Sequence, residues 1–275
     1  MINFVVLTDF STAADKALHY TTLLASQVPA RIHLVHFWHN AVLEASPALK
    51  EAVVSSHFED SPVSSRQDQE QALRRRVEEF GNVIPILPHF VSGSINKKLP
   101  DFLAQMDKVV VVMGKSAVEG LRDEMVESNS VNLIALAKTA FLIVPEKFQR
   151  LAPPEEIVIA LHQKEIQARD HIFQDLLTGL KPSITIIHVS PKTDGTISGK
   201  IAQQAENGFG LTGFEIQILH KNSITKAIKK YCREHEKDLL VLIHRKNSFL
   251  LDFFNQSVTG NFIRNTPIPL LILPG

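Results

Sequence analysis

Two short segments hold the residues best placed to do chemistry. Leu7-Thr8-Asp9-Phe10-Ser11 closes one apolar run, and Met113-Gly114-Lys115 closes another. A carboxylate such as Asp9 can accept hydrogen bonds from a ribose or a base. A loop of free backbone amides ahead of a helix can hold phosphate, and the loop from Lys115 to Ser128 and Asn129 has that position. Asp9 also has a plainer reading, because an acid after a first strand often caps the next helix. No Ser-His-Asp order, Walker loop or paired-carboxylate motif is legible.

Other constellations point to structure rather than chemistry. His33, His36 and His39 lie close in sequence, and imidazoles bind metals. His33 and His36 are three apart on a strand, so they point to opposite faces. No cysteine or carboxylate nearby completes a site. Cys232 and His235 stand one helical turn apart, a spacing open to a thiolate–imidazole pair, but both continue an apolar stripe and read as packing. Arg74-Arg75-Arg76 ahead of Glu78-Glu79 reads as a charged helix face. His244-Arg245-Lys246 reads as a solvated basic turn or an anion-attracting one.

These residues need a scaffold, and the apolar pattern supplies it. Phe4–Thr8 is apolar nearly throughout, as a strand buried on both faces should be. Ser11 offers an N-cap to a helix carrying Ala14, Leu18, Thr21 and Ala25 at helical spacing. Further strands are expected at Ile32–Phe37, Val83–Val91, Lys108–Gly114 and Ala140–Val144. Pro85 and Pro88 demote the Val83–Val91 strand to an edge. Helices are expected over Arg66–Phe80, from Ser94 through Leu99, Leu103 and Met106, and around Ser130–Ala137. After a linker at Arg150–Pro154 the order begins again. Strands are expected at Ile157–Leu161, Ser183–Val189, Phe214–Leu219, Leu239–Ile243 and Leu270–Leu273, and helices at Glu165–Leu177 and after Ser223. His36 matches His188 at an offset of 152 residues, whereas Ser94 matches Ser223 at 129. The first copy therefore carries 23 extra residues, placed within the polar stretch Asn40–Ser65. Strands alternating with helices imply parallel sheets covered on both faces.

The Thr-Asp-Phe-Ser run, the histidine ending the second strand, the Val-Met-Gly ending of the fourth and the Val-Pro after the fifth together resemble the universal stress protein family, in its tandem two-domain form. The resemblance implies two flavodoxin-like domains, residues 1–147 and 155–275, each a five-stranded parallel sheet of order 3-2-1-4-5. It also implies a pseudo-dimer in which Ala140–Val144 and Leu270–Leu273 pair antiparallel. Members that bind ATP carry Gly-x2-Gly-x9-Gly-Ser/Thr after strand four. Here Gly114 is kept, Ala117 and Glu127 replace the other glycines, and Ser128 keeps the hydroxyl. Glu127 would bring negative charge to the phosphate slot, which Lys115 offsets in part. The family's aspartate matches Asp9 and its adenine-contacting position matches Phe37. The candidate nucleotide set is thus Thr8, Asp9, Phe37, Met113, Gly114, Lys115, Ser128 and Asn129. In the second copy the aspartate position is His162, the glycine positions are Ile243, Lys246 and Gln256, and Ser257 alone survives.

Composition bounds the function. Lys+Arg and Asp+Glu both count 29, which argues against a general grip on nucleic acid or an anionic membrane. The single cysteine, Cys232, cannot form an internal disulfide, so a cytoplasmic location is expected. No stretch is long and apolar enough to span a bilayer. The leading expectation is a non-enzymatic stress-response protein whose first domain holds ATP or another adenine nucleotide weakly and whose second holds none. A module that binds an unidentified protein partner without nucleotide, with Asn40–Ser65 available to it, is the alternative, and a slow nucleotide hydrolase the third. Further homodimerisation stays open.

Overall fold

The computed structural model describes residues 1–38, 66–81, 84–115, 139–150, 152–161, 171–190, 196–244, 262 and 266–274. The insertion at Asn40–Ser65, the helix expected around Ser130–Ala137, and the positions His39, His162, Lys246, Gln256 and Ser257 lie outside these.

The first half runs β1 (Ile2–Leu7), α1 (Thr12–Ala25), β2 (Ala30–Trp38), α2 (Arg66–Phe80), β3 (Ile86–Ser92), α3 (Ile95–Leu103), β4 (Val109–Lys115) and β5 (Ala140–Pro145). The second half runs β6 (Glu156–Ala160), α4 (His171–Leu180), β7 (Ser183–Val189), α5 (Ile197–Phe209), β8 (Glu215–Leu219), α6 (Ile224–Glu234), β9 (Leu239–His244) and β10 (Leu270–Pro274). The connection from Trp38 to Arg66 is far longer than its counterpart from Val189 to Ile197, where the repeat offsets require the extra residues. Helix α5 has no counterpart among the expected elements. Its signal was present: Ile197, Ile201, Ala205 and Phe209 recur every fourth residue and are buried, and Gly210 ends the helix at φ 65°.

Each half has strand order 3-2-1-4-5, and the two join into one ten-stranded sheet. All pairings are parallel except the joint, where β5 and β10 run antiparallel with Leu271 opposite Leu142. That pairing relates the halves by a pseudo-twofold axis normal to the sheet, so equivalent helices fall on the same face. One face packs against α1, α2, α4 and α5, with Leu18, Leu73, Phe173 and Ile201 in the core layer. The other packs against α3 and α6, with Leu99, Leu103, Ile228 and Cys232. Both layers run through both halves. β3 is an outer edge, as Pro88 requires, and β8 is the other.

The helix starts are uneven. Ser11 caps α1 as expected, its side chain accepting from the Ala14 amide at 3.2 Å. Ser94 and Ser223 hold the N-cap positions of α3 and α6 but make no side-chain capping bond. Away from the strand joint the halves are also in close contact. A Cβ on Gly179 of α4 would lie 2.4 Å from the Gln27 carbonyl oxygen, so α4 and the α1–β2 turn meet with no room for a side chain. Lys108 Nζ and Asp175 Oδ2 are 2.5 Å apart across the same boundary. In the linker, Arg150 pairs at 2.8 Å with the buried Asp238, whose other oxygen accepts from the Glu155 and Glu156 amides.

All six residues of β5 are buried. Expressed alone, residues 1–147 would bare that strand and its apolar side chains, each burial being worth roughly 1.5–3 kcal/mol. The fragment is expected to dimerise or aggregate through β5, with the full chain as the control. A stable monomer by analytical ultracentrifugation would contradict the joint as an obligate contact.

Candidate functional site

Strand order reverses at the carboxyl ends of β1 and β4, the place where open α/β sheets generally bind ligands. The chain leaving β1 turns sharply there. Thr8 is buried, its amide donates to the Val35 carbonyl at 3.0 Å, and its Oγ1 accepts from the Phe10 amide at 3.0 Å. Phe10 sits at φ 65°, a left-handed conformation that costs a β-carbon residue about 1–2 kcal/mol. Asp9 is exposed, and its Oδ1 accepts from both the amide (3.0 Å) and the hydroxyl (2.5 Å) of Ser11. The cap reading of Asp9 is thus met at one remove: Ser11 caps α1, and Asp9 holds Ser11. Among the described residues no hydrogen bond reaches Oδ2 of Asp9.

Arg76 fixes this turn from α2, a role its sequence context hid. Its guanidinium pairs with Asp15 at 3.1 Å, donates to the Phe10 carbonyl at 3.1 Å and lies 5.3 Å from the Phe10 ring centroid. The Phe10 ring also meets the His36 ring, with centroids 4.4 Å apart. Because a carbonyl only accepts, His36 donates from Nδ1 to Thr8 O at 2.8 Å, and its Nε2 meets the Gln69 side-chain amide at 2.8 Å. His188 donates to Leu161 O in the same way at 2.9 Å. The matched histidines therefore do the same mechanical work in both copies: each ties the end of the second strand to the turn after the first.

Gly114 meets the same helix from β4. A Cβ built on it would lie 2.1 Å from the Ala13 carbonyl oxygen and 2.7 Å from the Ala14 nitrogen. The first turn of α1 rests directly on the β4 backbone, which is why this position has no side chain. Gly114 and Asp9 are thereby brought to one corner, joined through the first turn of α1. Phe37 and Met113 are half-buried and pack, with Leu7, into the core layer on the α3 side. Lys115 ends β4, and its carbonyl accepts from the Glu146 amide at 2.9 Å. Ser128 and Asn129 lie outside the described residues. Glu146, which the motif search passed over, accepts a hydrogen bond from the Thr12 hydroxyl at 2.8 Å. In the second half, Ile243 takes the position of Gly114 and is packed against the core.

The remaining histidines separate as the alternation of faces requires. His33 is buried on the α3 side. Asn3 donates to the Asp107 carbonyl at 2.7 Å, which turns its oxygen toward His33 Nε2 at 3.3 Å. Nε2 then carries the proton, and Nδ1 is left to accept from His89 Nε2 at 3.0 Å. The ring centroids are 5.1 Å apart, so the two nitrogens face each other nearly head-on. That is a proton-sharing geometry with no room for a metal between them. Burial, then His89 and Arg31, lowers His33 to about 4, and burial lowers His89 as well. On α6, Cys232 is buried and burial pushes its thiol up to about 12, the wrong direction for a nucleophile. His235 does not continue the apolar stripe; it is exposed and stacks on Tyr231 at 4.1 Å. Among the described residues no three His, Cys, Asp or Glu side chains group as metal ligands, and no helix is long and apolar enough to cross a membrane.

Two parallel five-stranded sheets of order 3-2-1-4-5, covered by helices on both faces, define a flavodoxin-like α/β protein. The family model for the universal stress protein family matches residues 1–145, and the chain belongs to that family. Its fold is similar to that of a universal stress protein from Archaeoglobus fulgidus, at TM-score 0.64 and 15% identity over 99% of this chain and 96% of that one. A putative universal stress protein from Pseudomonas aeruginosa is similar at TM-score 0.52 and 13% identity, over 99% and 92%. The cytoplasmic domain of a prokaryotic cation chloride cotransporter is similar at TM-score 0.55 and 10% identity, over 98% and 94%. No curated protein matches the chain.

Gly114→Ala should cost about 2 kcal/mol or more by forcing α1 off β4, read as a lower denaturant midpoint at unchanged m-value. An unshifted midpoint would show that the contact yields freely. The histidine pair gives a pH prediction. His33 has a folded pKa below its unfolded 6.5, so the neutral ring stabilises the fold above pH 6.5. That stability should be lost as pH falls toward 4, by up to about 3 kcal/mol. Unfolding titrations of the wild type and His33→Asn across this range check it, the variant showing the shallower dependence.

Proposed function

We propose that the protein is a non-enzymatic stress-response protein of the cytoplasm whose first domain, residues 1–147, has a degenerate adenine-nucleotide cleft. The second domain, residues 155–275, is structural. The observation that carries this reading is the exposed Asp9 at the β1–β4 switch point, with Oδ2 uncommitted to any described residue. A ribose or base donor has an acceptor there. Phe37 and Met113, half-buried on the α3 side, supply apolar surface for a base. Lys115, and Ser128 and Asn129 of the following loop, complete the set. In the second copy, His162 and Ile243 stand where Asp9 and Gly114 stand in the first, which removes both features. Family membership supports the stress-response assignment.

Among the described residues Asp9 is engaged by Ser11, Asp15 by Arg76 and Glu146 by the Thr12 hydroxyl. A second reading has a specific basis. Asp9 and Gly114 both have structural work, Asp9 in holding the cap and Gly114 in admitting α1. Their retention is therefore also what a partner-binding module without nucleotide would show.

Calorimetry with ATP, ADP and AMP separates the two. The cleft reading expects measurable affinity that Asp9→Ala weakens by about tenfold or more, the scale of a hydrogen bond to a charged group. Unchanged affinity in that variant would remove Asp9 from the site. Absence of heat at millimolar nucleotide would favour the protein-partner reading. Gly114 is unsuitable as a probe, because its replacement disturbs the fold.

A further inference from the structure

His33 and His89 form an imidazole pair that the nucleotide reading does not use. They lie on the neighbouring strands β2 and β3, and β3 is an outer edge of the sheet. The direction of their hydrogen bonds is fixed from one end. The Asp107 carbonyl accepts from Asn3 Nδ2, Asn3 Oδ1 accepts from His33 Nε2, and His33 Nδ1 accepts from His89 Nε2. His33 therefore has no free lone pair. His89 has one: its ring is half-buried, and among the described residues no hydrogen bond reaches its Nδ1. The charged groups around the pair are few. Arg31 of β2 acts on His33, and Phe102 of α3 meets the His89 ring edge-on at 5.1 Å. Lys97, Lys98 and Asp101 of α3, and Asp107 and Lys108 ahead of β4, are exposed. Among the described residues no carboxylate is hydrogen-bonded or ion-paired to either ring.

Two protons meet different obstacles in this arrangement. The first goes to His89 Nδ1. It leaves the bond from His89 Nε2 to His33 Nδ1 in place and gives it a charged donor, which strengthens it. The second has His33 Nδ1 as its seat. It removes the acceptor and sets two N–H groups and two positive charges against each other where the nitrogens are 3.0 Å apart. Burial, then the His89 charge, then Arg31 all resist that step. We propose that the pair is an acid-sensitive fastening of β3 to the sheet, which keeps its hydrogen bond through a first protonation at His89 and gives way on a second at His33. Because β3 pairs with β2 alone, the loosening is confined to this edge while β1 and β4 stay in place.

The test is NMR of the full chain from about neutral pH down to about pH 4, following the ring nitrogens of labelled histidines together with amide-exchange protection. At neutral pH both rings should carry their proton on Nε2. On acidification His89 should titrate first, and His33 at lower pH. Protection factors over Ile86–Ser92 should hold while His89 titrates and fall about tenfold or more as His33 does, with β1 and β4 protected throughout. His89→Gln places a neutral amide beside His33 that can donate to it or turn its oxygen to accept from it. His33 should then titrate about one unit or more higher, and the drop in β3 protection should vanish. His33 titrating before or together with His89 overturns the proposal. So does β3 protection that stays level as His33 titrates, or protection lost equally in β1 and β4. The wild-type titration decides the matter even if the variant does not fold.

Discussion

The antiparallel pairing of β5 with β10 is the contact on which the rest of the molecule is built. A five-stranded parallel sheet of order 3-2-1-4-5 has two edges. One can be blunted by proline, as β3 is by Pro88. The other here is a wholly apolar strand, Ala140–Pro145, which cannot be left in water. Pairing it with its own repeat turns two edges into the middle of one sheet. The pseudo-twofold that results puts like helices on like faces, so each core layer is continuous across the joint. The close seat of Gly179 on the α1–β2 turn and the hold of the buried Asp238 on Arg150 and the Glu155 and Glu156 amides accompany that arrangement.

Within the first half, a second constraint governs the crevice. Helix α1 lies directly on the β4 backbone at Gly114, and the turn that delivers it there is held in a left-handed conformation at Phe10. Thr8, Asp9 and Ser11 fix that turn by short-range bonds, and His36 and Arg76 fix it from β2 and α2. The motif residues therefore serve the fold first. Asp9 has one oxygen in the turn, and its other oxygen meets no described residue.

Duplication and divergence can be read from the same contacts. The His36–Thr8 and His188–Leu161 bonds have survived in both copies because they hold the second strand to the end of the first, a need of the fold in either half. The acid and the glycine have not survived in the second copy. There Ile243 packs against the core.

Much of this was legible in the sequence because it depends on local pattern. Strand runs, the Ser11 cap, the helical stripe of α1, the edge position of β3 and the opposed faces of His33 and His36 follow from periodicity and backbone chemistry alone. Helix α5 is equally local, carried by Ile197, Ile201, Ala205 and Phe209 at helical spacing. The positions of Asp9 and Gly114 were readable from the resemblance, but not the mechanical reason for the glycine. Contacts between residues far apart in the chain could not be read: Arg76 on Phe10, Glu146 on Thr12, His89 on His33, Gly179 on Gln27. Each depends on the register of paired strands or the seat of a helix on the sheet, and a one-residue shift in either would put a different side chain at the contact. The sequence by itself determined which segments are strands and helices, since each carries its own apolar period. Only the tertiary structure decided which charges and rings meet at the crevice, since that is set by packing between elements.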